Sequence, residues 1–448
     1  MYKGIAGLNG SKRSAWTVAF VMTLCLAAPA LLAACVRGYP SAARSDELRS
    51  HTKQAEPAAN NADLADLVDD NGAFAFDLYQ ALKEQNGNLI YSPHSVSVAL
   101  AMTYAGARGP TASQMAETLH FLLAQDRLHP AFNALAHELA SRGQGAQRGR
   151  GEAFRLNMVN AVWGQQGHQF RQAFLDTLAE SYAAGVRTAD FIAAPEEARL
   201  AINDWAAQST ENRIRDLIPP GVITPLTRLV LTDAVYFNAS WSYPFSEAQT
   251  RDHPFHLLDG RVVDVPMMRL EEDLFYAAGD GYQAVDLPYV GDELSMTILL
   301  PDGGRFSEFE NALDASLVDR TILDLEFRYV TLDLPKFEFE SQFRLSETLK
   351  AMGMSDAFDT AAADFSGMDG QSCPAGDPDC LYIRELLHKA FVSVDEAGTE
   401  AAAATAVVMN VESAPPSPVS MTVDRPFIFL IRDRETGVVL FVGRVTRI

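Results

Sequence analysis

Basic residues are too few for a polyanionic partner. Lysine and arginine number 36 against 58 aspartates and glutamates, a formal net charge of −22. No acidic residue precedes Cys35, whereas Lys3, Lys12 and Arg13 do, so the chain from Cys35 onward carries 33 basic and 58 acidic residues, a net of −25. Such a surface repels nucleic acid and heparin-like polyanions, and neither is expected to bind. The one basic cluster, SRGQGAQRGRG with Arg142, Arg148 and Arg150, is glycine-rich and reads as a solvated loop. Enzyme signatures are missing as well: the chain has no GxSxG elbow, no Walker loop and no HExxH. His253 and His256 form an HxxH without nearby cysteines or a third ligand, so neither a metal nor a cofactor is expected. No internal repeat or linker interrupts the chain after about residue 64, which points to one domain.

What is present is enough apolar material for a large core, 48% of 448 residues. The N-terminus has the layout of an address. Lys3, Lys12 and Arg13 precede the apolar run Ala15–Ala34, which ends LLAAC. This resembles a bacterial lipoprotein signal over residues 1–34. The resemblance implies cleavage before Cys35 and a lipid on its thiol, so the protein is expected outside the cytoplasm, anchored at a periplasmic or outer membrane surface. The alternatives are an ordinary secretory signal, which would release it, and an uncleaved anchor helix. With Cys25 discarded and Cys35 lipidated, Cys373 and Cys380 remain, and in an oxidising compartment they should close a small loop. Residues 36 to about 62 are small, polar and aperiodic, with a coil dimension of roughly 30 Å, and the stretch 35–66 reads as a flexible tether.

From Leu64 the pattern becomes helical: Leu64, Leu67, Val68, Phe74, Leu78 and Leu82 recur until Asn86–Asn88 stops them. LIYSPHSVSVALAMTYAGA predicts a short strand, then a helix capped by Ser92 with Pro93 in its first turn. Helical patterns dominate to about residue 218, broken by a strand near Met158–Val162. Strands then take over in LVLTDAVYF, SMTILLP, YVTLDLPKFEFE, RPFIFLIRD and VVLFVGRV. The fold class expected is α+β.

The stretch DEAGTEAAAATAVVMNVESA (395–414) sits between two readings, because EAAAA favours helix and TAVV favours strand. At a period of two, Thr399, Ala401, Ala403, Thr405, Val407, Met409 and Val411 fall on one small or apolar face, with Glu400, Asn410 and Glu412 on the other. No proline or glycine interrupts it from Thr399 to Ala414, yet APPSP follows, a stiff exposed leash. The segment is competent both as an exposed loop and as a strand.

From about residue 67 to 448 the chain resembles the serpin family. NLIYSPHSVSVALAMTYAGARGPTASQM, LVLTDAVYFNASWSYPF, LHKAFVSVDEAGTEAAAAT and RPFIFLIRDRETGVVLFVGRV each stand in the family's order and spacing. The resemblance implies a serpin fold with large, mainly antiparallel sheets and an exposed reactive loop at about 395–413. It implies a monomeric suicide inhibitor that forms a covalent 1:1 complex with a serine protease, not an enzyme. A non-inhibitory binding protein of the same fold, or an inhibitor of a cysteine protease, are the alternatives.

Residue by residue, the resemblance makes Glu396, Gly398, Thr399, Glu400, Ala401, Ala402, Ala403, Ala404 and Thr405 the hinge that enters the sheet first. The family's usual loop puts the attacked carbonyl thirteen residues past the position of Thr399, which implies Glu412–Ser413 here, with Val411 or Asn410 as shifted alternatives. Glu412 implies a target with a basic pocket; Val411 implies an elastase-like one. Ser92, Ser95 and His388 match the cluster beneath the sheet where its strands part, and the fourth member, usually asparagine, is Asp233. Trp241 matches a buried tryptophan near the first point of insertion. MDGQSCPAGDPDC exceeds the family's usual connection, with Cys373–Cys380 as its staple.

Overall fold

Local chemistry sets where the first helices begin. Asn60 accepts the Asp63 amide at 2.8 Å, and Ser92 accepts the Ser95 amide at 3.2 Å with Pro93 in the first turn, so both helices start on a side-chain cap. The structure is a computed structural model and describes residues 46–143, 155–371, 380–399 and 418–448.

In chain order these form β1 (Asp46–Leu48), α1 (Asn61–Leu82), β2 (Leu89–Tyr91), α2 (Pro93–Tyr104), α3 (Gly109–Thr118), α4 (Gln125–Ser141), β3 (Arg155–Gln165), α5 (Gln172–Tyr182), β4 (Val186–Ala189) and α6 (Pro195–Ser209). Strands dominate thereafter: β5 (Leu229–Ser240), β6 (Arg251–His256), β7 (Val262–Gly279), β8 (Tyr282–Pro288), β9 (Leu294–Pro301), β10 (Glu326–Pro335), β11 (Phe337–Arg344), β12 (Ile383–Val394) and β13 (Gly398–Thr399). The chain closes with β14 (Val419–Thr422), β15 (Phe427–Asp433) and β16 (Val439–Val445), and the short helices α7 (Phe306–Ala312), α8 (Ala315–Leu323), α9 (Ser346–Ala351) and α10 (Ser366–Asp369) lie among these strands. The fold is α+β, with the helix-rich half preceding the strand-rich half.

Two sheets carry the strands. The first has the order β1-β4-β3-β5-β13-β12-β11, and β5 and β12 also pair directly, in parallel. The second has the order β14-β10-β7-β8-β9-β15-β16-β2, with β6 paired to β7. YVTLDLPKFEFE, continuous in the sequence, is divided between them: β10 ends at Pro335 in the second sheet and β11 starts at Phe337 in the first. Proline cannot extend the ladder, and Lys336 turns the chain while its amide bonds the Pro266 carbonyl.

Two expectations are corrected. The tether is docked from Asp46 onward: β1 adds antiparallel to β4, the Ala55 amide bonds the Glu180 carbonyl, and Gln54 bonds Asn133. Asp-Glu-Leu carries no strand pattern of its own; a free sheet edge supplies the partner. Arg142 is not solvated either. It is buried, with Nε 2.8 Å from Asp433 and Nη1 2.7 Å from Glu435. Arg148 and Arg150 lie outside the described residues.

Beneath α4, His94 stacks on Phe132 and His129 bonds the Tyr182 hydroxyl at 2.7 Å. Burial pulls His94 down to about 4; burial and then the Arg108 charge pull His129 down to about 4. The unfolded chain therefore binds these protons first, and stability falls as pH drops from about 6.5 to about 4, by about 3 kcal/mol per histidine at the limit. Thermal melts should show a sharp loss between pH 7 and pH 4.5, and His94→Leu should retain more of its neutral-pH stability at pH 4.5. Equal pH sensitivity in both proteins would exclude His94 as a source.

Candidate functional site

The seam between β5 and β12 organises the site. The two strands pair in parallel register from Ile383↔Leu229 to Phe391↔Tyr236, and beyond that point they diverge enough to admit a third strand. That strand is β13: Gly398 pairs with Ser240, while Thr399 pairs with Ala239 on one side and Val394 on the other. Thr399 is fully buried, so the first inward residue of the hinge is already seated in the sheet.

Aromatic packing shapes the slot that receives it. Trp241 stacks on Tyr289 with ring centroids 4.6 Å apart, and the Tyr289 hydroxyl lies 2.8 Å from Thr399 Oγ1. The indole Nε1 donates to the Asp395 carbonyl at 3.0 Å, and the Trp241 amide donates to the Ala397 carbonyl at 2.9 Å. Glu396 is latched from two directions, by Lys336 Nζ and by the Thr250 hydroxyl, each at 2.7 Å. Burial pushes the Glu396 carboxyl up, but hydrogen bonds from Lys336 and then Thr250 outweigh it and hold it below the usual carboxylate range. The backbone from Asp395 to Thr399 is thus fixed at this end of the seam.

Further down the seam lies a buried polar cluster. Asp233 on β5 and His388 on β12 are direct cross-strand partners, with Oδ2 2.9 Å from Nδ1 and neither side chain exposed. Ser95 Oγ donates to Asp233 Oδ1 at 2.6 Å and lies 3.0 Å from Asn160 Oδ1, and Asn160 Nδ2 donates to the Ser95 carbonyl. The Ser92 amide donates to His388 Nε2 at 3.1 Å. Because that nitrogen accepts, the ring hydrogen sits on Nδ1 and points at the carboxylate, leaving no acceptor for a second ring hydrogen. A strand entering the seam must separate Asp233 from His388.

Ser92, Ser95, Asp233, His388, Trp241, Glu396, Gly398 and Thr399 all lie along this one seam. Glu400 to Thr405, the bonds at Asn410–Ser413, Cys35 and Cys373 lie outside the described residues, whereas Cys380 is buried and disulfide-bonded. His253 and His256 stand three apart on the strand β6 and so point to opposite faces, which separates them as ligands. Among the described residues no cluster of metal-ligating side chains occurs. Sequence reasoning missed Tyr289, Lys336 and Thr250, which reach the site from the connections just after β8, between β10 and β11, and before β6, and Asn160 on β3. Asn160 alone had a local cue, as a polar residue at the centre of a predicted strand.

The first sheet thus has a central seam, paired directly between β5 and β12 along most of its length and holding Gly398–Thr399 as a third strand at one end. The chain belongs to the serpin family: the family model described as "Serpin (serine protease inhibitor)" matches residues 69–448. It is 40% identical to an uncharacterised serpin-like protein of Thermococcus kodakarensis over 85% of each chain. It is 36% identical to the leukocyte elastase inhibitor of Xenopus laevis, over 83% of this chain and 96% of that one. Antithrombin-III of Mus musculus is 34% identical over 88% of this chain and 84% of its own. Among solved structures, the thermophilic serpin tengpin in its native state superposes with a TM-score of 0.78 at 27% identity, covering 91% of this chain and all of tengpin.

Proposed function

We propose that the protein is a suicide-substrate inhibitor of serine endopeptidases, exported and held at a membrane by a lipid on Cys35. One observation carries the reading: Thr399 sits between β5 and β12 at the mouth of a seam whose remaining length is closed only by the parallel β5–β12 pairing. A protease acylated at the loop frees the segment at one end. Insertion then gives the strand hydrogen-bond partners on both sides and buries the face formed by Ala401, Ala403, Val407, Met409 and Val411. Insertion and hydrolysis of the acyl-enzyme compete, and trapping results when insertion is faster. The family, and relatives named for elastase and thrombin inhibition, support this assignment. A disulfide at Cys380, which we assign to Cys373, fits export to an oxidising compartment.

Incubation with a panel of serine proteases should give a band, resistant to SDS, at the summed mass of both chains; loop cleavage without such a band across the panel would refute inhibition. The attacked bond is Glu412–Ser413, so the released C-terminal fragment should begin at Ser413 by mass spectrometry. Glu412→Arg should move inhibition from a glutamate-preferring protease to a trypsin-like one, by a hundredfold or more in rate, because the pocket charge must be opposite. A fragment beginning at Glu412 would move the bond to Val411 and the target to an elastase-like enzyme.

A further inference from the structure

We propose that the docked N-terminal segment Asp46–Glu56 forms part of the surface against which an arrested protease rests; this builds on the inhibitory reading above. The strand registers carry the inference. β13 runs antiparallel to β5 and enters at Ala239, so a strand continuing from it proceeds toward Leu229. Across the sheet, Leu229 is level with Gly164 on β3, Gly164 with Thr188 on β4, and Thr188 with Asp46 on β1. β1 therefore lies at the end of the sheet opposite the hinge, about 33 Å away at about 3.3 Å per residue over ten residues.

The attacked carbonyl travels to that same end. Glu412 is thirteen residues past Thr399, which in a fully inserted strand brings it about 43 Å along the seam, about 10 Å beyond the level of Asp46. Four strand spacings of about 4.8 Å separate the seam from β1, so the acyl bond comes to rest about 20 Å from Asp46. A globular protease of about 230 residues has a radius of gyration of about 17 Å and spans about 45 Å, enough to reach β1. The surface waiting there is open. Leu48 is 37% exposed at the sheet edge, Arg49 is exposed, and His51 to Glu56 are exposed along α4 and α5. Hydrogen bonds hold the segment in place: Ser50 Oγ bonds Asp176 at 2.5 Å, Asn133 Nδ2 bonds the Ala55 carbonyl at 2.9 Å, and Thr188 Oγ1 bonds the Asp46 carbonyl at 3.1 Å. Glu47, paired with Arg49 and Arg187, keeps the strand aligned on β4.

Photocrosslinking tests this on the full chain. Leu48 is replaced by p-benzoylphenylalanine in one variant and Lys53 in another, and each is irradiated with an inhibited protease from the panel. The comparison is the same protease with its nucleophilic serine replaced by alanine, which binds the loop but cannot be acylated. The expected result is at least a tenfold higher cross-link yield with the acylated protease, mapping to a position in 46–56. A covalent complex that forms normally but cross-links at neither position overturns this surface and leaves the inhibitory reading standing. Failure of both variants and the unmodified chain to form any covalent complex overturns the inhibitory reading, and this surface with it.

Discussion

Thr399→Arg is expected to turn the inhibitor into a substrate: complete loop cleavage, active protease recovered, and at least a tenfold loss of covalent complex on a denaturing gel. Thr399 is fully buried between β5 and β12 with its hydroxyl on Tyr289. A guanidinium in that slot would face the Tyr289–Trp241 stack, while Glu396 is already bound to Lys336 and Thr250 and the Asp395 carboxylate to the Ala397 and Gly398 amides. Burying an unpaired charge costs several kcal/mol, so the variant's hinge should leave the sheet in the resting protein. The loop then still presents its bond for attack, but every later insertion must carry the arginine through the same slot. Each 1.4 kcal/mol added to the insertion barrier shifts the competition with hydrolysis tenfold.

The sequence alone treats Thr399 as a loop residue awaiting entry, whereas the structure has it seated, and this adds a second readout. Expulsion of the hinge uncovers Tyr289 and alters Trp241 fluorescence before any protease is present. Thr399→Val, which keeps the volume and removes only the hydroxyl, should still trap. Glu400→Arg, on the alternate face by strand period, should trap as well. Equal trapping by both arginine variants would show that the inward face does not control insertion.

Legibility of these features in the sequence tracked how local their causes are. α2 was visible because cap and period lie within a few residues of each other, Ser92 with Ser95, and α1 because of its period alone; its cap, Asn60 on Asp63, went unread, so its start at Asn61 was placed in the tether. The seam residues Ser92, Ser95, Asp233 and His388 were legible only through family resemblance, since 138 residues separate Ser95 from Asp233 and 155 separate His388 from Asp233. β7 was hidden for another reason. VVDVPMMRLEEDLFYAAG contains a proline and four acidic residues, and its alternating exposed positions keep one face in solvent, so its average polarity conceals an 18-residue strand. β1 was illegible in principle, because the three residues Asp46–Leu48 become a strand only through the edge that β4 offers. Tyr289 and Lys336 lacked any local cue: each meets the hinge across 110 and 60 residues of sequence, and nothing in YVTLDLPKFEFE reveals that Lys336 is the point where the chain changes sheets.

Asp233→Asn is expected to speed spontaneous insertion of the intact loop. Opening the seam pulls Asp233 from His388, and both are buried with no solvent to replace the lost bond. With a carboxylate, the bond is charge-assisted, about twice the strength of a neutral one, and its rupture leaves a buried charge supported only by Ser95. An asparagine fits the same partners without that charge. Its carbonyl can accept from His388 Nδ1, and its amide can donate to Ser95 Oγ, whose own hydrogen then turns to Asn160. The folded protein loses little, but the opened seam is relieved of an unpaired anion. A difference of about 1 kcal/mol in the barrier corresponds to about a fivefold faster loss of inhibitory activity at elevated temperature, with the product more resistant to heat than the starting protein. The same reasoning gives Asp233→Ala a larger acceleration, since it removes the cross-strand bond altogether and leaves His388 Nδ1–H without an acceptor. The rates are followed by residual inhibition and native gel. If Asp233→Asn and the unmodified protein lose activity at the same rate, the carboxylate is not what holds the seam shut, and the barrier lies instead at the Thr399 slot.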